Sequence, residues 1–472
     1  SPFSQNLYGI YGRNTGLVTQ LCFVLVFIVV SSFRQASNLK ALLFSFIAAG
    51  IVNILYGLIV QMFGDPIKWT NNYGALLGLL GNPDFAGALY GLLSAVLLAQ
   101  GYNYFSSNKK FALLYFILFS LSLYCVLLTK TSQGILVSLI SISVITLYFL
   151  HFKLKKKFIT NSFLVLGLFG MILVILGILQ KGPLSSILYK RSVSLRGVYW
   201  DAALNTGLNH PLTGVGLDSF GDWYRRSRSL KAATWFPGPE TITNVAHNYY
   251  LDILACGGFL LLINYLIFTI IGVISIGKIL KTEKVFNVLP ASLIALFFGF
   301  QAQALISIPQ IGLAVWGWVF TGLLFSYASL DKLIKNEKKV IKQNSILATV
   351  PTGIIIFLGM AVGLFIAIPP FSADVKFTSA YNSQKLENIQ SALKPSYFSP
   401  QNSDRLANTA LLFQRNKLDK PAHDLAIQGV KFNPDFFSAW KVLYYLPGSS
   451  NDERKLALEN MKRLDPLNKT LR

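Results

Sequence analysis

Acid is scarce in this sequence. Its 472 residues carry 20 Asp and Glu against 42 Lys and Arg, and charged residues of both signs make up only 13%, about half the share of a soluble globular chain. Set beside 53% hydrophobic residues, this excludes a disordered chain and argues against a wholly soluble one. Three cysteines (Cys22, Cys125 and Cys256), all in or beside apolar segments, supply neither a disulfide framework nor metal spacing. Of the four histidines, His151 and His423 lie far apart, and His210 and His247 are not at ligand spacing. No metal and no other cofactor is therefore expected. Gly214-Val215-Gly216 is followed by no Gly-Lys-Ser or Gly-Lys-Thr, so it is not a phosphate loop and its value lies in backbone freedom. The +22 excess of base would suggest nucleic acid in a soluble protein. Here it is clustered between apolar runs, which points to topology and anionic lipid instead, with no nucleic-acid partner.

Long apolar runs are what the chain has in abundance. We read ten spans, at 16–33, 40–61, 84–100, 111–128, 132–150, 158–179, 249–275, 286–306, 310–329 and 345–368, each long enough to cross about 30 Å of hydrocarbon. The expected fold is all-α, a polytopic helical membrane protein of about ten spans with a helical tail. Every second connection is base-rich: Arg34 and Lys40, Lys109 and Lys110, Lys153 to Lys157, Lys278 to Lys284, and Lys332 to Lys342. By the positive-inside rule these face the cytoplasm of a cell (plasma) membrane. The same parity puts Ser1, the loop 181–246 and the tail outside. The chain opens at Ser1 without methionine, from which we expect a missing upstream portion.

Two domains follow, 1–369 in the membrane and 370–472 extracytoplasmic. The loop 181–246 is too long for a passive connector; within it, 194–209 reads as a short helix near the membrane surface, stopped at Asn209-His210-Pro211. In the tail we expect helices at 376–391, 402–415, 418–431, 435–446 and 451–463. Asn433-Pro434 and Asp465-Pro466 lie 32 residues apart, near the tetratricopeptide period, so a degenerate helical-hairpin repeat is preferred over an irregular bundle.

Arginine is the residue for phosphate oxygens, because its rigid fork of donors stays charged when partly buried. Arg191 and Arg196 precede the glycine-rich turn; Arg225, Arg226 and Arg228 follow it and could equally be a solvated basic surface. Arg196, on a segment with Trp200, is the one expected to point inward. His247, just before a span, can exchange a proton near neutrality. Asn248 and Tyr249 are candidates for sugar or phosphate contacts, and Asp252, some 140° around a helix from His247, is not its direct partner. Asp84 is open between a cavity-lining group and an ordinary cap.

The motifs resemble the O-antigen ligase and polymerase superfamily. The resemblance rests on Gly81-Asn82-Pro83, on Arg196, Trp200 and Ala203, on His210-Pro211-Leu212-Thr213-Gly214-Val215-Gly216, on His247-Asn248-Tyr249-Tyr250-Leu251 leading to Gly258, and on Gly12-Arg13-Asn14-Thr15-Gly16. It covers most of residues 1–330. It implies a GT-C-like membrane glycosyltransferase, working without metal or nucleotide sugar, that moves a glycan from a polyprenyl-pyrophosphate carrier to a sugar, lipid or protein acceptor on the outer face. Arg196 would bind the pyrophosphate with help from Arg191, and His247 would sit beside the reacting centre. Two positions depart from the family: Gln133 stands where an arginine is common, and Cys256 where an acid is, so that Lys130 or Asp252 would substitute. The tail would recognise an acceptor or a partner protein. A non-catalytic scaffold and a small-solute transporter are the competing readings.

Overall fold

The computed structural model describes residues 1–10, 12–67, 71, 74–178, 181–183, 185, 191–308, 310–336, 352–383, 385–395 and 401–471. Among these, every regular element is a helix. In chain order the membrane part contains α1 (Phe3–Tyr8), α2 (Leu17–Ser31), α3 (Ala36–Phe63), α4 (Pro83–Tyr104), α5 (Lys109–Leu128), α6 (Ser132–Phe149) and α7 (Lys157–Ile178). The loop supplies α8 (Arg191–Asn209), α9 (Phe220–Ser227) and α10 (Leu230–Thr234); then come α11 (Tyr249–Thr282), α12 (Val288–Ala304), α13 (Ile311–Asn336) and α14 (Thr352–Ser383). Seven of the described helices are long and apolar enough to cross a membrane, which makes this a multi-pass α-helical membrane protein. α2, α7 and α12 coincide with the other three expected spans; α2 and α12 have 15 and 17 residues.

Local chemistry explains the helix starts. Asn82, Asn108, Asn248 and Asn287 each stand in extended backbone just before a helix, and each side-chain oxygen accepts a first-turn amide, satisfying a donor that the helix itself leaves unpaired. The bundle is arranged around α4, in which every residue from Phe85 to Gly101 is buried; a helix apolar on all sides belongs in the middle. It packs on α5, α6 and α12. Gly91 makes the α6 contact possible, since a Cβ there would lie 2.9 Å from the Ser138 amide nitrogen, and small residues of this kind let helices approach in lipid.

The last span differs from expectation. Its predicted start at 345 lies outside the described residues, and its predicted end at 368 falls inside α14, which runs through Pro369 and Pro370 to Ser383. The helix expected at 376–391 is accordingly divided between the end of α14 and α15 (Leu386–Ala392). The remaining tail helices, α16 (Ser403–Arg415), α17 (Asp419–Phe432), α18 (Phe437–Tyr445) and α19 (Asn451–Leu464), fall where the sequence placed them. They pack as α16 on α17 and α18 on α19 around Leu406, Phe413, Trp440 and Leu443.

The two ends of the bundle are chemically distinct. At one, Ser326 Oγ donates to the Phe33 carbonyl at 2.6 Å, Tyr327 donates to Glu283, and the Phe286 ring meets Tyr148 and Phe149. The connections carrying Arg34, Lys153 to Lys157 and Lys278 to Lys284 flank these contacts and so share that end. At the other end the amino-terminal segment, the loop and the tail meet: Gln5 Nε2 donates to Asp222 at 3.1 Å, and Asn433 Nδ2 to the same carboxylate oxygen at 3.0 Å.

Candidate active site

Two helix starts and one helix break build the site. Gly81, at φ 69°, turns the chain; Asn82 caps α4 by accepting from the Asp84 amide at 2.9 Å, and Pro83 occupies the first helical position, where its missing N–H costs nothing. This sets Asp84 in the first turn of the central helix, within electrostatic reach of Arg196 on α8. Gln133, at the start of α6 and 2% exposed, donates to the Asp84 carbonyl at 3.3 Å.

The break lies in α11 at Gly258, with φ 63° and ψ −168°. Two rungs of the helix are lost there, and the segment 211–216 replaces them. Phe259 and Leu260 N–H donate to the carbonyls of Pro211 (2.7 Å) and Leu212 (3.4 Å), while the freed carbonyls of Ala255 and Cys256 accept from Val215 (3.0 Å) and Gly216 (2.9 Å). Buried backbone polar groups must be paired, and this exchange pairs all four. Gly214, at φ 63°, lies so close to the Cys256 backbone that a side chain would collide. The His210 ring meets Trp223 edge-on at 4.6 Å. Thus His210, Pro211, Gly214 and Gly216 form a clamp that fixes α8 to α11.

The clamp and the Asn248 cap aim His247. Asp252 Oδ1 accepts from the Ala246 N–H at 3.0 Å, and His247 itself sits in left-handed backbone at φ 52°, a conformation costing about 1–3 kcal/mol for a residue other than glycine. Trp200 Nε1 donates to the His247 carbonyl at 3.3 Å, and the Tyr199 ring stacks on the imidazole at 5.7 Å. Burial, then the charges of Arg196 and Arg13, push His247 down to about 4, so at neutral pH the ring is uncharged with one nitrogen free to accept a proton.

Not every expected site residue gathers there. Arg225 Nη1 lies 2.9 Å from Asp465 of the tail, and Arg226 Nη1 3.2 Å from Asp435; both arginines hold the tail, as does Arg228 at 2.7 Å from Asp465. Asn248 is a helix cap and buried, and Tyr249 packs against Tyr265 in the core with its hydroxyl 3.4 Å from Gln20. Arg191 begins α8, and its side chain lies outside the described residues. Lys130 donates to the Gly74 carbonyl at 2.6 Å. Arg196 differs from these: half-buried, its guanidinium makes no hydrogen bond or ion pair among the described residues and feels chiefly burial and the Asp84 carboxylate. Sequence reasoning missed Arg13 as a site residue. It lies 3.9 Å from Asp218, donates to the Asn244 carbonyl at 3.5 Å and acts on His247; its position just before the first span, on the side of the loop, was the available signal.

Residues 117–266 match the sequence model of the family described as O-antigen ligase. The match, under half of the chain, takes in α6, α8, the clamp and His247. No curated protein matches the chain significantly.

Proposed function

We propose that this protein transfers a glycan from a polyprenyl-pyrophosphate carrier to a sugar, lipid or protein acceptor, the activity implied by its likeness to the O-antigen ligases. The observation that carries this reading is the pairing of an uncommitted, half-buried Arg196 with an uncharged His247. An arginine whose donors are not spent on the described residues is available to the oxygens of a diphosphate, and the Asp84 charge acts on it without a direct bond. Arg13 adds a second positive charge. The connections carrying Arg34, Lys153 to Lys157 and Lys278 to Lys284 share the far end of the bundle, which by the positive-inside rule supports a site on the outer face, where a carrier held in the outer leaflet can present its head group.

In this mechanism the acceptor hydroxyl attacks the anomeric carbon as the bond from that carbon to the diphosphate oxygen breaks, with inversion. The hydroxyl proton passes to His247. The electron pair of the broken bond stays on the diphosphate, whose growing charge meets fixed cations in a partly dry cleft, where such stabilisation is strongest. Orientation of the two sugars supplies further rate. The filled break in α11 speaks against a solute path: in transporters, interrupted helices line a cavity, whereas here backbone from 211–216 occupies the gap.

The test is transfer by purified protein in a bilayer, given a polyprenyl-pyrophosphate glycan and candidate acceptors without nucleotides. We expect loss of lipid-linked glycan matched by glycosylated acceptor and free carrier diphosphate. A correctly inserted protein that turns over none of these would leave the scaffold reading.

A further inference from the structure

Away from the arginine–histidine centre, a cavity of about 70 Å³ opens where the amino-terminal segment, the loop and the tail converge. That is space for several waters, or for one edge of a sugar ring. Its wall combines three kinds of chemistry. Acceptors come from the carboxylates of Asp222 and Asp404; donors come from Gln401 Nε2 and the Ser403 hydroxyl, both buried and without a hydrogen-bond partner among the described residues. Half-buried rings of Phe432 and Phe436 add apolar faces. Ser403 is only 7% exposed, and an unpaired buried hydroxyl is costly unless a ligand or water completes it.

Charge narrows the occupant. Arg225 reaches this wall but is bound to Asp465, and Asp218 is engaged by Arg13 and the Ile10 amide. Two carboxylates on the wall lack a cationic partner at contact distance among the described residues: Asp222, one oxygen of which accepts from the neutral Gln5 and Asn433, and Asp404, an exposed residue at the rim. Burial raises both, and the Asp222 charge raises Asp404 further, so an added anion is disfavoured. The cavity is thus of opposite character to the arginine centre, to which it connects through Asn244: this residue lines the wall, accepts from Arg13 and lies three positions before His247.

We propose that this cavity is a second glycan subsite, completed only when the tail is docked, that takes an uncharged or amino-bearing sugar unit and rejects acidic ones. Neutral sugars present hydroxyls that both donate and accept, matching the mixed wall, and apolar ring faces that suit Phe432 and Phe436. The assignment rests on the glycan-transfer reading for the nature of its ligand.

The experiment is saturation-transfer NMR on the full chain in nanodiscs, with tetramers of N-acetylglucosamine, glucosamine and galacturonic acid as probes. The first two are expected to give signal and the acidic tetramer none. Ser403→Phe, which fills the space, and Asp404→Ala, which removes an acceptor without adding bulk, should each weaken binding roughly tenfold, the equivalent of one or two lost hydrogen bonds. Arg196→Ala should leave sugar binding intact while lowering transfer about 10²–10³-fold, which separates failure of this subsite from failure of the proposed reaction. Silence from all three tetramers, a preference for the acidic one, or unchanged binding in both cavity variants overturns the subsite.

Discussion

Arg228 and Asp465 lie 237 residues apart in the chain, yet the Arg228 Nη2 donates to both carboxylate oxygens of Asp465 at 2.7 and 2.8 Å, with both side chains at 0% exposure. Arg225 shares the same carboxylate from the other side. Asp465 is the residue that ends α19, and Asn433, 32 positions earlier, ends α17 and binds Asp222. The two helix-pair ends of the tail therefore grip one short stretch of loop, α9 and its flank.

Asp465→Ala should detach this grip. It strands two buried guanidiniums, and breaking a buried pair from one side costs about 3–5 kcal/mol. Hydrogen exchange should quicken over 220–228 and 437–465 and stay unchanged in α4. Replacing Arg225 and Arg228 by leucine in the same variant should return part of the stability, because no orphan charge then remains.

The break at Gly258 should tolerate no side chain. A Cβ there would collide with the Leu212 carbonyl, and the backbone is left-handed. Gly258→Ala should lower stability by roughly 1–3 kcal/mol and release the 211–216 clamp. Gly277→Ala, farther along α11, is the control, since an added methyl there meets nothing within 4 Å. Thermal melting in detergent compares the two; equal melting temperatures would count against the clamp.

Arg196→Ala should lower transfer by about 10²–10³, the usual effect of losing one donor to a developing anion. Arg196→Lys should recover only part, because lysine offers a point charge without the fork. Membrane insertion, followed by detergent-solubilised yield, should not change.

For His247 the pH dependence has a definite sign. Its folded value of about 4 lies below the ordinary 6.5 or so, so the unfolded chain takes up the proton first. Its contribution to stability is full above about pH 6.5 and lost as pH falls through about 4. A bound diphosphate adds negative charge beside the ring and raises its affinity for a proton. Pyrophosphate binding near pH 5 should therefore be accompanied by proton uptake, seen calorimetrically as a heat that varies with the ionisation enthalpy of the buffer. His247→Gln should abolish that variation.

Much of the architecture is determined by signals that act over a few residues. Apolar runs set the spans, asparagine caps set where α4, α5, α11 and α12 begin, and Asn-Pro and Asp-Pro end the tail helices; each works through the next turn of backbone, so the sequence alone suffices. The last span shows the limit: it was expected to end at 368, yet the helix continues through Pro369 and Pro370 to Ser383. Which arginine serves which partner was decided only by tertiary structure. The sequence set Arg196 apart by its segment with Trp200, but nothing in it told which partners Arg225, Arg226 and Arg228 would find. Three are matched by carboxylates more than 200 residues away, and one is left beside Asp84 and His247. Coulomb energy depends on distance and burial rather than on position along the chain, and only the folded packing of loop, tail and α4 supplies those.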